Sequence, residues 1–192
     1  MRRLLRFVGV FALATTGVAL VPAPPAPAAG NPTIVGLEAL AYLTLPQPED
    51  SPADPYAVVP IEAVAEIEIP AMGVHETVYE GVEQMVIDTG PAHWPGSAAP
   101  GSYGNTVIAA HRVSHRAPFR NIDQLVVGDQ IVLRDAAGQH VYWVTGTDIV
   151  TPAQIGIVDQ RPGRTITLFA CHPPGSEAYR YVVFGQLVAG AV

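Results

Sequence analysis

The chain contains no lysine; its ten basic residues are all arginine. Charged residues make up only 14% of the chain, and the formal net charge is −7. Arg2, Arg3 and Arg6 precede the first apolar run, so the remainder sets seven arginines against 17 acidic residues. An acidic domain with no basic stripe lacks the footprint that a phosphate backbone requires, which argues against a nucleic-acid partner. Cysteine is nearly absent as well. The single thiol, Cys171, excludes an intramolecular disulfide, and the lack of a second cysteine argues against a thiolate metal site. There is no internal repeat, and no second long apolar run follows the one near the N-terminus.

What is present is apolar: 49% of the 192 residues, enough to bury a core in one ordinary domain with flanking segments. The N-terminus, "MRRLLRFVGVFALATTGVALVPAPPAPAAG", has a basic start, an apolar run from Phe7 to Val21, then small residues and prolines. This is the pattern of an export signal. The run is shorter than the roughly 20 residues of a spanning helix, and Ala26–Ala29 suit a signal peptidase. Residues 1–29 are therefore expected to be a signal peptide or a short N-terminal membrane anchor. The basic start sets the N-terminus inside and the remainder outside the cytoplasm, membrane-associated or secreted if cleaved. Many of the 19 prolines fall in the first third, and residues 30–57 read as a Pro/Ala-rich linker, largely extended or disordered. The folded domain is expected over 58–192.

Short strands dominate that domain. "AVAEIEIP" (63–70) and "VHETVYEG" (74–81) alternate apolar and polar residues, whereas "NTVIAAHR" (105–112) and "RTITLFAC" (164–171) are buried runs. "DQIVLRD" (129–135) and "HVYWVTGTDIV" (140–150) flank the hairpin signal "AAGQ", and "RYVVFGQLV" (180–188) ends the series. "VEQMVIDTG" (82–90) predicts one or two helical turns, "APFRNIDQL" (117–125) a loop with a short helix, and 91–104 a Gly/Pro-rich loop. Seven or eight short strands with little helix predict an antiparallel barrel or sandwich.

Two buried strands end on reactive side chains, His111 and Cys171, and a third begins at Arg180. Strand ends sit on a rigid scaffold yet face the rim. Outside the cytoplasm an unpaired thiol is an oxidation risk, so Cys171 either hides or works. A Cys, His and Arg trio suits acyl transfer: a thiolate nucleophile, a proton donor for a leaving amine, and forked donors for an oxyanion. Singly, each has a plainer reading: a small buried hydrophobe, a core histidine, a solvated strand end. His115 and His172 compete with His111, and spacing does not choose among them. The six histidines do not read as a metal site, because "HRVSH" has an HxxxH spacing without a helix or a supporting carboxylate.

At these residues the chain resembles the sortases, envelope cysteine transpeptidases. "GNTVIAAHRVSHRAPFRNIDQLVVGDQIVL" is similar to their histidine block, and "ITLFACHPPGSEAYRYVVFG" to their cysteine–arginine block. The upstream "IEIPAMGVHETVYEGVEQMVIDTGPAHWPGSAAPGSYGN" is similar to their lead-in, so the likeness spans about residues 64 to 188. The "CHP" and "HR…APF" segments look most like class E sortases of actinobacteria. The resemblance implies an all-β, sortase-like closed barrel of about eight strands with short helices in the connections. It implies His111 as the family histidine, Cys171 as nucleophile and Arg180 as the active-site arginine. The implied reaction cleaves an LPxTG/LAxTG-like sorting signal between Thr and Gly through a thioester. The implied partners are secreted proteins with a C-terminal sorting signal and an amine acceptor from a cell-wall precursor or a pilin, with membrane association through the N-terminus. No cofactor is implied. Glu80, Glu83, Asp123 and Asp129 form no dense oxygen cluster and read as solvated loop charge rather than a calcium site.

Two residues depart from the family pattern: Ala170 replaces the usual threonine before the cysteine, and Ala110 replaces a common glycine before the histidine. Neither is a reacting group. Ala170 is the one feature that favours an alternative, a catalytically silent sortase-like binding domain. An L,D-transpeptidase is a second alternative, but "LFACHPP" does not match its Ser-His-Gly-Cys block.

Overall fold

A computed structural model of the chain describes residues 42–49 and 51–189. The expected signal peptide or anchor, and residues 30–41 of the linker, lie outside them. Among the described residues no helix is long and apolar enough to cross a membrane.

Eight strands close into one barrel: β1 (Ala63–Ile69), β2 (Val74–Glu80), β3 (Ala92–His93), β4 (Gly104–Ala109), β5 (Gln130–Asp135), β6 (Gly138–Val150), β7 (Arg164–His172) and β8 (Tyr179–Ala189). Their order around the barrel is β1-β2-β3-β4-β7-β8-β6-β5, with β5 returning to β1. A closed barrel is thus the outcome of the two architectures that strand spacing left open. β1 shows why alternation works as a signal. Ala65, Ile67 and Ile69 are buried, while Glu66 and Glu68 between them are not. Among the described residues one α-helix, α1 (Gln84–Thr89), stops at Gly90, and one of the 3-10 turns covers Ile122–Gln124. β5 and β6 pair through to Asp135 opposite Gly138, so the hairpin turns at Ala136 and Ala137, the first half of "AAGQ".

The antiparallel expectation fails at two places. β2 pairs with β3 in parallel, and β4 pairs with β7 in parallel. β4 and β7 are far apart in sequence, and the β5–β6 hairpin crosses between them, so no tight turn forces them antiparallel. Both faces of β4 are buried, as is usual for parallel strands.

Those two faces pack into separate cores. Ile108, Ile166, Leu168 and Val183 point into the barrel with Tyr142 and Phe119. Val107, Ala109, Phe169 and Val182 point outward into a second cluster with Trp94 and Val158. The described end of the linker covers part of this outer cluster. The Trp94 indole Nε1 donates to Glu49 O at 2.8 Å. Gln160 Nε2 donates to Pro46 O at 3.1 Å, and Gln84 N donates to Pro55 O at 2.7 Å. Gly96, at φ +75°, lets this strap pass: an added Cβ there would lie 2.8 Å from Gln47 O. The strap is therefore hydrogen-bonded to the domain at Pro46, Glu49 and Pro55.

Asn105, fully buried on β4, ties the connection between β6 and β7 to the barrel. Its Nδ2 donates to Ile157 O and Asp159 O, and its Oδ1 accepts from the Thr165 and Thr167 hydroxyls. Asn105→Ala leaves these buried partners unsatisfied. The expected cost is about 3 kcal/mol, read as a fall in Tm of roughly 10 °C in a thermal melt.

Candidate active site

The parallel ladder between β4 and β7 sets the site. Ala109 lies opposite Phe169, and Ala110 N continues the ladder by donating to Phe169 O at 3.2 Å. His111 therefore emerges abreast of Cys171, at the same end of two adjacent strands. On the other side of β7, Cys171 is directly opposite Arg180 in the antiparallel pair with β8. Directly opposite residues in such a pair have Cβ atoms about 5 Å apart. By alternation all three side chains belong to the outward face, the one that carries Ala109, Phe169 and Val182. They line a groove of about 660 Å³. Its floor is the outer cluster, and one wall includes Ser51, Pro52 and Pro55 of the strap. The connection 151–158 contributes the opposite apolar wall through Ile155, Ile157 and Val158.

Each member has its own hydrogen bonds. Cys171 is half-buried and not disulfide-bonded. Arg180 Nη1 donates to Glu177 O at 2.9 Å and to Tyr179 O at 3.1 Å, which anchors the guanidinium to the turn between β7 and β8. His111 Nε2 is 2.7 Å from Asp88 Oδ1 at the end of α1, and Gln84, one turn earlier, donates to the same oxygen at 2.6 Å. His115 Nε2 lies 3.0 Å from that oxygen too, and its ring stacks on His111 with centroids 4.9 Å apart. Partial burial pushes the Asp88 carboxyl upward. The hydrogen bonds from His111 and Gln84 and the nearby charges of His115 and His111 outweigh it, holding the group below the ordinary aspartate range.

Asp88 is the residue that sequence reasoning missed, and it corrects one reading. "HRVSH" does have a supporting carboxylate. The two rings are brought together without a helix, by a loop in which His115 takes φ 51° and Ala117 φ 47°. The signal for Asp88 was slight: a polar residue one helical turn after Gln84 in "QMVID".

His172 is committed elsewhere. Arg112 Nη1 donates to its Nδ1 at 2.7 Å. Arginine has no acceptor, so His172 presents a lone pair there and carries its proton on Nε2. Arg112 is 2% exposed, and its guanidinium also pairs with Asp123 Oδ2 at 2.5 Å and donates through Nε to Arg120 O at 3.3 Å. One buried guanidinium thus clamps the residue after His111 to the residue after Cys171. The other loop acids are likewise engaged one by one: Glu80 with His93, Glu83 with Val82 N, and Asp129 with Val126 N.

The family model described as Sortase domain matches residues 67–188, from β1 into β8. The chain belongs to the sortase family. Sortase SrtE1 of Streptomyces coelicolor is 31% identical over 150 residues, covering 70% of this chain and 43% of the relative. Sortase A of Bacillus anthracis is 30% identical over 128 residues, 66% of this chain and 60% of that one. The chain thus spans about half the length of these curated relatives. The crystal structure of Sortase E1 from Streptomyces coelicolor with a tripeptide in its active site superposes with a TM-score of 0.64. It is 27% identical, covering 68% of this chain and 90% of that one. A Clostridium perfringens Sortase D5 transpeptidase gives 0.62 at 30% identity, covering 66% and 79%. A class E-like sortase is consistent with these neighbours.

The two departures from the sortase pattern prove to be neighbours. Ala110 and Ala170 are both buried in the inner core, on the opposite face from His111 and Cys171. They sit one step beyond the Ala109–Phe169 pair on the same ladder. A methyl is gained at 110 where glycine is usual, and a hydroxyl and a methyl are lost at 170 where threonine is usual, so part of the lost volume is made up on the adjacent strand. Ala170→Thr alone should cost about 2 kcal/mol through crowding and a buried hydroxyl. Adding Ala110→Gly should recover at least about 0.5 kcal/mol beyond additivity in a double-mutant cycle of urea melts.

Proposed function

We propose that this sortase is a cysteine transpeptidase that cuts an exported protein at an LPxTG/LAxTG-like sorting signal and passes it to an amine. The observation that carries the reading is the shared register of His111, Cys171 and Arg180 at one rim, over a groove with an apolar floor suited to an extended peptide. The Cys171 thiolate attacks the threonine carbonyl, and Arg180 donates to the oxyanion of the tetrahedral intermediate. His111 gives a proton to the departing glycine amine, leaving a thioester. An amine from a cell-wall precursor or a pilin then attacks the thioester and restores the thiol. The substrates are secreted proteins with a C-terminal sorting signal. Residues 1–29, as signal peptide or anchor, would place the domain on the outer side of the membrane, where such proteins arrive.

The arrangement fits a resting enzyme. His111 is hydrogen-bonded to Asp88 and not to the Cys171 thiol, and Arg180 is held by loop carbonyls. Catalytic hydrogen bonds commonly tighten only when substrate binds. The same contacts are the observation that favours a silent binding domain. A thiol-directed probe separates the two: competition by a sorting peptide supports the enzyme, and labelling indifferent to the peptide supports the silent domain.

Cys171→Ala is expected to abolish the peptide-derived mass adduct seen by intact mass spectrometry with a library of sorting peptides. Arg180→Ala should retain the adduct while lowering kcat by roughly 10²–10³-fold. Undiminished peptide cleavage by Cys171→Ala would sink the assignment.

A further inference from the structure

We propose that Asp88, His111 and His115 form a binding site for a divalent transition ion of the zinc class, and that the bound ion withdraws His111 from the groove chemistry. The three residues come from α1, the end of β4 and the loop beyond it. Each offers one ligand atom, and these atoms all lie within 4.8 Å of one another. Asp88 Oδ1 is 2.7 Å from His111 Nε2 and 3.0 Å from His115 Nε2. Donor atoms around a tetrahedral zinc at its usual bond lengths are separated by roughly 3.3 Å. The two carboxylate–imidazole separations must then widen by roughly 0.3 to 0.6 Å to admit the ion, with water completing the shell. His111, Asp88 and His115 have side-chain exposures of 18%, 30% and 45%, so an ion from solvent can reach them.

Three features make this more than proximity. First, Asp88 Oδ1 accepts a hydrogen bond from Gln84 Nε2 and is hydrogen-bonded to His111 Nε2, while His115 Nε2 lies 3.0 Å from the same oxygen. That oxygen offers about two lone-pair directions, which Gln84 and His111 take up, so the His115 nitrogen is close to it without a hydrogen bond to it. A cation engages both rings at once: each Nε2 binds it through a lone pair, and any proton held there leaves to solvent or passes to Nδ1. Second, His115 holds φ 51°, uncommon for a side-chain-bearing residue, and that backbone is what lays its ring on His111. Third, the Gln84 amide restrains the Asp88 carboxylate through the same Oδ1, as outer partners orient ligating carboxylates. Two imidazoles with one carboxylate select zinc-like ions over calcium or magnesium, which require oxygen cages.

Ion binding does not depend on the proposed reaction; inhibition does. With Nε2 of His111 on the metal, that nitrogen has no proton to give to a leaving amine.

The test titrates zinc chloride calorimetrically into the Cys171→Ala variant, so that the thiolate cannot supply the site. One ion per chain is expected, with a dissociation constant below about 100 µM. Adding His115→Asn should weaken binding at least about tenfold; asparagine tolerates the positive φ, and a thermal melt checks the fold. Side-chain nitrogen NMR of the Cys171→Ala protein gives a readout free of the second substitution, with zinc expected to move His111 and His115 Nε2 together. No saturable binding in Cys171→Ala, unmoved Nε2 signals, or undiminished binding with His115→Asn would overturn the site. In the cysteine-bearing protein, zinc should stop peptide cleavage reversibly under chelator, and His115→Asn should resist it at least about tenfold. Binding without inhibition of an active enzyme overturns the withdrawal of His111. Binding as expected with no cleavage of any peptide leaves the ion site standing and counts against the proposed reaction instead.

Discussion

The parallel pairing of β4 with β7 is the constraint on which the rest of the site depends. Parallel neighbours end at the same rim, whereas a hairpin would have sent their last residues to opposite ends of the barrel. With Ala109 opposite Phe169, two further residues on each strand bring out His111 and Cys171 side by side. The turn from β7 to β8 then returns the chain so that Arg180 faces Cys171. Three chemically distinct side chains are thereby delivered by backbone hydrogen bonding alone. Their rotamers are tuned afterwards, by Asp88 and by the carbonyls of the turn.

Arg112 secures this where the ladder runs out. Beyond Ala110 no further β4–β7 backbone bond is available to hold the strand ends together. The buried guanidinium substitutes by bridging to His172 and to the Ile122–Gln124 turn through Asp123. A charge this buried is tolerated only when its donors are used, and here donors are used on three sides. The residues following His111 and Cys171 thus form a second set of contacts behind the groove.

Much of the barrel was legible because its outer strands alternate: Ile67 and Ile69 against Glu66 and Glu68 made β1 plain. β3 was not, since Ala92–His93 is two residues long and carries no periodicity. The direction of β4 and β7 was misread as antiparallel. Yet both are continuous apolar runs, "TVIAA" and "ITLFA", and such runs are characteristic of parallel strands buried on both faces. At the site, His111, Cys171 and Arg180 were visible as strand-end residues. Asp88, and the Arg112–His172–Asp123 clamp, depend on strand order and on the αL loop at His115, which local pattern does not encode. "HRVSH" shows the limit well: the spacing was noticed, but a left-handed turn rather than a helix closes it.

The two cores carry a further consequence. The groove rests on the outer cluster around Trp94, Phe169 and Val182, not on the barrel interior. That outer layer is finished by a strap and a long connection, each held by a few bonds, whereas the interior is enclosed by a continuous ladder. Layers of unequal cohesion open separately, the weaker at lower free energy. Warming should therefore open the groove while the barrel is still closed, with the amides of 45–49, 51–57 and 151–163 exchanging with solvent before those of β6 and β8. Durability of the groove and durability of the barrel are, in this molecule, two separate quantities.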